Sequence, residues 1–195
     1  MNLFISRRAI LLIGLGALVL AAGLASSAAS AATVIPLTLE QMEQRATDVF
    51  VGTVLSTRAG WTPDKRLIET RVLIRVDQRV KGVGRATATV IVPGGIVGDI
   101  GMRRPGVAVF KEGERVLLLA EPRGGPKGPN ELRPVGLLQG KLRVKHDAAL
   151  GIDVVEPSGP AWGARGERLA PGEKPKGPVP ALALSEVISR LEKAR

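Results

Sequence analysis

A strictly alternating run of about ten residues limits the fold of this chain more than any other feature. Within 68–77 the even positions, from 68 to 76, are Ile, Thr, Val, Ile and Val, while the odd positions carry mostly charged residues. Period-two alternation predicts a β-strand with one buried face and one face in water. Antiparallel sheets commonly have one solvated face, whereas parallel sheets are usually covered on both. The run therefore predicts a strand of an antiparallel sheet.

Further strand-like segments flank this run, and turn residues separate them. The predicted strands cover 48–57, 86–92, 115–121, 132–138, 141–146 and 152–156. Segment 48–57 is apolar at consecutive positions, which predicts burial on both faces. Pro134 favours an edge position for 132–138, because proline cannot donate to a strand ladder. Short strands at this spacing predict a small antiparallel barrel.

A helix is predicted on either side of the strand region. Thr38 and Gln41 have the spacing of a capping box at the start of a short helix within 37–46. Segment 181–195 carries an apolar stripe at helical spacing, formed by Leu184, Val187, Ile188 and Leu191. A helix of this length is marginal alone, so we expect it to dock onto the barrel. The predicted fold is mainly β, a small antiparallel OB-like barrel with a short N-terminal and a C-terminal helix.

The first residues have the pattern of an export signal. Arg7 and Arg8 precede an uncharged apolar run, 9–24, and a stretch of small residues follows it. This pattern predicts a signal peptide, 1–31, cleaved after Ala31. The run of about 16 residues is short of the roughly 20 that span a bilayer, which disfavours the alternative of a membrane anchor. We expect a secreted or periplasmic protein, exported by the general route or by the twin-arginine route that "SRRAIL" resembles.

The rest of the chain divides into three predicted parts. They are a barrel domain, 32–156, a Pro/Gly-rich linker, 157–180, and the C-terminal helix, 181–195. Loss of two arginines with the signal lowers the net charge of the chain from +10 to +8. This charge indicates either an anionic partner or an arginine-rich soluble surface. Because the chain has no Tyr and few other aromatic residues, we expect no specific nucleic-acid partner.

The residues that carry most enzyme chemistry are scarce. The chain has no Cys, and His146 is its single histidine, so thiolate chemistry is excluded and a histidine-rich zinc site is disfavoured. Ser158 lacks the flanking glycines of a nucleophile elbow. Glu112 and Glu114 could form a carboxylate pair, although alternate residues at a turn are more often solvated. We expect a non-enzymatic protein without catalytic residues, metal or cofactor; an unrecognised enzyme site is a third hypothesis.

Two regions are candidate contact sites for a partner. The glycine-rich segment 93–109 carries Arg103 and Arg104 but lacks the Lys and Ser or Thr of a P-loop. It is predicted to be without regular structure, and either to bind a partner or to cover the barrel mouth. In the second case its residues Ile96, Val97, Ile100 and Val109 pack as a lid. Trp61, in the predicted loop after 48–57, is either a contact residue or a ring folded over the barrel end.

Two rows of basic residues support a second hypothesis. Arg71, Arg75 and Arg79 share the wet face of one predicted strand, and Lys141, Arg143 and Lys145 share that of another. If these strands are neighbours, the rows form a basic stripe that could bind an anionic polymer or lipid headgroups. Otherwise each row is an ordinary solvated face.

The order of several motifs resembles a group of uncharacterised exported bacterial proteins. The motifs are "RATDVFVGTV", "VKG", "VPGGIVGDIG" and "PGVAVFKEGERVLLLAE", within about 38–145. The same order is similar, more remotely, to the netrin and tissue-inhibitor-of-metalloproteinase (TIMP) module, an OB-type barrel. The group implies no settled activity. The TIMP mechanism needs an N-terminal Cys, whereas the predicted mature chain begins at Ala32. We therefore expect an exported module that binds a protein partner or envelope component, with protease inhibition as a remote alternative.

Overall fold

Strands dominate this computed structural model, which describes residues 37–124, 130–157 and 181–194. The helices in this part of the chain are α1 (Leu39–Arg45) and α2 (Leu184–Lys193). The first five strands are β1 (Asp48–Trp61), β2 (Ile68–Lys81), β3 (Thr87–Pro93), β4 (Gly95–Val97) and β5 (Ile100–Met102). The others are β6 (Arg115–Pro122), β7 (Glu131–Pro134), β8 (Lys141–Asp147), β9 (Ile152–Pro157) and β10 (Leu182–Ala183).

Five of these strands close into a barrel-like ring. The ring runs β1–β2–β3–β7–β6 and returns to β1, because β6 also pairs with β1. Every neighbouring pair in the ring is antiparallel except β3 and β7, which are parallel. The predicted fold class, a mainly β barrel with two helices, is confirmed, and β2 matches the alternating run that led to it.

One edge of β6 holds two strands in succession. β7 pairs with the last residues of β6 and β8 with its first residues, while β1 occupies the opposite edge. Between them, residues 135–140 leave the ladder and return to it. Leu119 joins the two ends, since its carbonyl accepts from Val135 N at 3.0 Å and its N–H donates to the Gly140 carbonyl at 2.8 Å. The edge position predicted for Pro134 is wrong, because β7 lies between β3 and β6 and Pro134 is its last residue.

Two hydrophobic cores share β1 and β6. The barrel interior contains Phe50, Ile74 and Leu118, and the second core lies between the helices and the outer side of the sheet. The second core includes Met42, Val49, Leu117, Leu119, Leu142 and Leu191. Alternate residues of β1 and β6 face the two cores, which explains why 48–57 lacks a polar face. The predicted burial of that segment on both faces is confirmed for residues 49–52.

Both helices pack as their sequences predict. Thr38 and Gln41 form the capping box of α1: the Thr38 hydroxyl accepts from Gln41 N at 3.2 Å, and Thr38 N donates to Gln41 Oε1 at 3.0 Å. The apolar stripe of α2 is buried in the second core, so the predicted docking is confirmed.

Several sequence predictions lie outside the described residues. They are the signal peptide 1–31, Ser158 and nearly all of the linker 157–180. Within the described ranges, no helix is long and apolar enough to cross a membrane.

Candidate functional site: the Trp61 cleft and the glycine-rich hairpin

A cleft of about 690 Å³ opens on the outer wall of the barrel. We call it the Trp61 cleft; its main lining residues are Arg58, Trp61, Arg71, Ile91, Arg123 and Glu131. These residues come from β1, β2, β3, β7 and the chain that follows β6. The cleft therefore spans the strand ends on one side of the ring.

Strand register produces the floor of the cleft. Arg71 on β2 is the pairing partner of both Arg58 on β1 and Ile91 on β3. Side chains opposite one another on neighbouring strands lie on the same face. Ile91 is therefore on the outer face, yet only 4% of its surface is exposed. It is an apolar floor residue on β3, beside Arg71 of the neighbouring strand β2.

Alternating arginines and glutamates form one wall. The Arg71 Nη1–Glu131 Oε1 distance is 2.5 Å, and Arg123 Nη1 lies 3.1 Å from Glu131 Oε2. Arg123 Nη2 is also 2.6 Å from Glu69 Oε1. Two cations and two anions thus neutralise one another. Each guanidinium has five N–H donors, so both arginines keep donors for a ligand while the glutamates hold them in place.

Trp61 borders the cleft at the end of β1. It is 41% exposed and is the last residue of the strand instead of a loop residue as predicted. The turn after it is closed by a hydrogen bond from Thr62 N to the Leu67 carbonyl at 2.8 Å. The Thr62 hydroxyl donates to Asp64, and this bond lowers the pKa of that carboxyl. The ring is therefore attached to a structured turn and remains partly open to solvent.

The glycine-rich segment 93–109 forms a hairpin, not an irregular loop. β4 and β5 pair as a two-stranded sheet, and Arg103 and Arg104 follow it, exposed to solvent. These arginines line a second cleft of about 500 Å³, which shares Ala59 with the Trp61 cleft. We call it the hairpin cleft.

The predicted lid is wrong. Ile96 and Val109 are both 73% exposed, and Ile100 is 55% exposed. Ala108 and Phe110 enter the barrel core in their place. Val109, which lies between these two residues in sequence, is turned outward.

Glycines hold the base of the hairpin against the barrel. Gly94 and Gly95 have φ angles of 102° and 142°, which side chains rarely adopt. A Cβ on Gly95 would lie 2.7 Å from both Ala59 Cβ and Thr70 Oγ1. The Thr70 hydroxyl also donates to the Gly94 carbonyl at 2.6 Å. At these two positions the glycines have the backbone role that the sequence suggests.

A buried ion pair holds the other end of the segment. Lys141, predicted on a wet face, has only 3% of its side chain exposed, because the turn at 111–114 covers the start of β8. Its Nζ lies 2.8 Å from Glu114 Oε2, donates to the Val109 carbonyl at 2.5 Å, and sits over the Phe110 ring. Glu114 is likewise buried, contrary to the expectation of a solvated turn residue.

Both groups of the pair have a pKa below the ordinary value, for different reasons. Burial raises the pKa of Glu114, but the hydrogen bonds and charge of Lys141, together with Arg143, outweigh it and lower the pKa. Burial also lowers the pKa of Lys141, which the contact with Glu114 only partly offsets.

The two basic rows do not form a stripe. β2 lies between β1 and β3, whereas β8 lies between β6 and β9. All six of these residues are also ion-paired. The pairs are Arg71–Glu131, Arg75–Asp77, Arg79–Asp48, Lys141–Glu114, Arg143–Glu114 and Lys145–Glu156.

Metal-binding clusters are absent from the described part of the chain. No group of three or more His, Asp or Glu side chains there could hold a metal ion. His146 is exposed, and its Nδ1 lies 3.1 Å from Asp153 Oδ1.

The chain matches no protein-family model and no curated protein sequence. Function therefore has to be inferred from the geometry of the two clefts. Of the predicted contact residues, Trp61 and Arg71 meet at one cleft and Arg103 and Arg104 at the other, while Arg75 lines neither.

Sequence reasoning missed three members of the Trp61 cleft wall. Glu69 lies in the alternating run two residues before Arg71, where the alternation predicts only a position on the solvated face. Arg123 and Glu131 flank the connection between β6 and β7. The parallel pairing that brings β7 beside β3 has no local sequence signal.

Proposed function

We propose that this protein is an exported, non-enzymatic β-barrel module that binds a protein partner or a component of the cell envelope. The Trp61 cleft is the binding site. One observation carries the proposal: a partly exposed Trp ring borders a buried apolar floor and a wall of arginines held in place by glutamates. Trp and Arg are the residue types that most often dominate binding energy.

The fixed wall favours binding because little order is lost when a ligand arrives. Arg71 and Arg123 are already held by Glu131, so their side chains need not be immobilised again. The wall is neutral overall, which favours a ligand with both hydrogen-bonding groups and an apolar face over a polyanion.

The closed five-stranded ring is the feature that supports our proposal of an OB-type barrel. In OB barrels, ligands use the face of the second and third strands and the loops beside it. Here the corresponding surface, on β2 and β3, contains Arg71 and Ile91 of the cleft. This is an analogy of fold, and it supports the position of the site more than the identity of the ligand.

Sedimentation with cell envelopes of the source organism tests the proposal. We expect the purified protein to bind saturably and Trp61→Ala to weaken binding at least about fivefold, since truncated interface tryptophans commonly cost more than 1 kcal/mol. Leu150→Ala is the matched control, because Leu150 is exposed outside both clefts. Protease treatment of the envelopes separates the two ligand classes: a protein partner is lost and another component survives. Absence of saturable binding, or equal binding by Trp61→Ala, contradicts the proposal.

Tryptophan fluorescence gives an independent readout. In the Trp162→Phe variant, Trp61 is the sole tryptophan. We expect solvent-accessible, acrylamide-quenched emission that shifts to the blue when envelope extract is added. Quencher-resistant emission in the free protein would show that the ring is not a contact surface.

Binding to an anionic polymer stays the alternative. Because all arginines of the two rows are paired, we expect weak retention on heparin resin. Strong retention that falls steeply with salt would favour the alternative, since it would report several neutralised sulfates. Hydrolytic turnover that a single substitution abolishes would favour an enzyme.

A further inference from the structure

The hairpin cleft presents apolar side chains that the barrel has not buried. Ile96 and Val109 line it and are the most exposed large aliphatic residues of the segment. Single exposed apolar residues are common on protein surfaces. Here two of them line one cleft of about 500 Å³, and Met102 and Val107 add to its apolar lining. We call these four residues the apolar wall.

The backbone holds these side chains outward. At one end, the N–H of Gly94 donates to the Ile68 carbonyl at 2.8 Å. At the other, Val109 lies between two core residues and its carbonyl accepts from buried Lys141. Exposure of Val109 is thus a property of the folded structure, and collapse into the barrel would break these contacts.

Cations without an ion-pair partner flank the apolar wall. Among the described residues, neither Arg103 nor Arg104 forms an ion pair, whereas Arg71, Arg123 and most other strand arginines do. Segment 94–110 contains one carboxylate, Asp99. Charge complementarity therefore favours an acidic ligand here.

The hairpin also offers a strand edge. Among the described strands, β5 pairs with β4 alone, so its other edge is open. Extended peptides bind such edges by adding a strand, with side chains of alternate residues entering neighbouring pockets.

Two other candidate occupants of the hairpin cleft are disfavoured by its positive charge. The chain's own segment 158–180 has four basic and two acidic residues, so it would set positive charge against Arg103 and Arg104. A second copy joined through β5 would bring two arginine pairs together.

We propose that the open edge of β5 and the hairpin cleft bind an extended, acidic polypeptide segment with alternating aliphatic residues. Carboxylates pair with Arg103 and Arg104, and aliphatic side chains contact Ile96 and Val109. This inference goes beyond the proposed function, because it assigns a polypeptide ligand to the hairpin cleft and not to the Trp61 cleft.

Fluorescence anisotropy with short labelled peptides tests the inference. The probe alternates Glu with Val, and three matched peptides accompany it: Lys alternating with Val, Glu alone, and a version with Pro at alternate positions. We expect saturable binding of the Glu–Val peptide only, because Lys reverses the charge, Glu alone lacks aliphatic contacts, and Pro cannot donate to the edge.

Variants of the protein locate the site. We expect the double variant Arg103→Ala/Arg104→Ala, and separately Ile96→Ser/Val109→Ser, to weaken binding at least about fivefold. The charge-matched control Arg45→Ala/Lys193→Ala removes two exposed helix cations and should change affinity less than twofold. Urea unfolding of each variant confirms that it is folded.

Four results overturn the inference. They are absence of saturable binding, equal binding of the Lys–Val or Glu-only peptide, equal binding by the double arginine variant, and dimers that the hairpin variants dissociate. In each case, envelope binding that depends on Trp61 would leave the proposed function intact. Absence of both the peptide binding and the Trp61-dependent envelope binding would refute the proposed function as well.

Discussion

Lys141 connects the glycine-rich segment to the sheet through a single buried ammonium group. It bonds Glu114 and the Val109 carbonyl and lies over Phe110. Replacement of such a pair by apolar residues is often tolerated, whereas removal of one partner leaves a buried charge without compensation.

We therefore expect Lys141→Met to lower the free energy of unfolding by about 3 kcal/mol. Lys145→Met is the control, because the Lys145–Glu156 pair is half exposed and should contribute less than about 1 kcal/mol. Urea unfolding measures both. The double change Lys141→Met/Glu114→Leu should recover much of the loss; equal losses for the two single variants would contradict this account.

Gly95 is a second residue whose contribution to stability can be tested alone. The test separates the need for a missing Cβ from the general flexibility of glycine. Gly95→Ala combines a disfavoured φ with contacts at 2.7 Å, so we expect a loss of about 1–3 kcal/mol. Gly101→Ala, in the same hairpin, meets nothing closer than 3.8 Å and has no positive φ. It should be neutral or slightly stabilising. Similar urea midpoints for the two variants would show that the base of the hairpin adapts.

At the scale of elements, the segment 93–114 is firmly attached at its ends and exposed between them. Ile100→Ala should change stability by less than about 0.5 kcal/mol, as exposed substitutions usually do. Phe110→Ala should cost about 3–5 kcal/mol, because the ring is buried in the barrel core. Urea unfolding of the two variants measures both changes. A large loss of stability for Ile100→Ala would support the packing of this segment over the barrel mouth.

Local patterns predicted most elements but not their neighbours. Alternation identified β2, and the capping box identified α1, because both depend on residues close in sequence. The pairing of β7 with β3, and the covering of Lys141 by the turn at 111–114, depend on distant parts of the chain. Pro134 was misassigned for this reason: the predicted strand 132–138 ends at Pro134, and the strands on either side of it have no signal in the local sequence.

Among the described residues, four carboxyls link stability to pH, and Asp64 in the turn after Trp61 is one of them. Hydrogen bonding from Arg115 lowers the pKa of Asp153. For Asp77, burial acts to raise the pKa, but bonds from the Thr53 hydroxyl and Arg75 lower it overall. For Glu114, burial acts to raise the pKa, but Lys141 and Arg143 lower it overall.

A lowered carboxyl pKa stabilises the folded state above the unfolded value and loses this contribution as pH falls through the folded value. The ordinary values are 3.8 for Asp and 4.5 for Glu. We therefore expect a constant melting temperature near neutral pH and a decline below about pH 4.5. Glu114→Gln should lower stability at neutral pH and flatten the decline. An unchanged profile for Glu114→Gln would exclude its contribution.

The sharing of β1 and β6 by both cores has a consequence for how the molecule opens. Neither strand can leave the barrel interior without also exposing the helix-covered core, so partial opening of one core alone gains little freedom. The amide protons of these strands should therefore exchange with solvent only through global unfolding, at one common rate of opening. Those of β4 and β5, which belong to neither core, can exchange through small local fluctuations. The hairpin can thus change shape around a partner while the two cores remain a single cooperative unit.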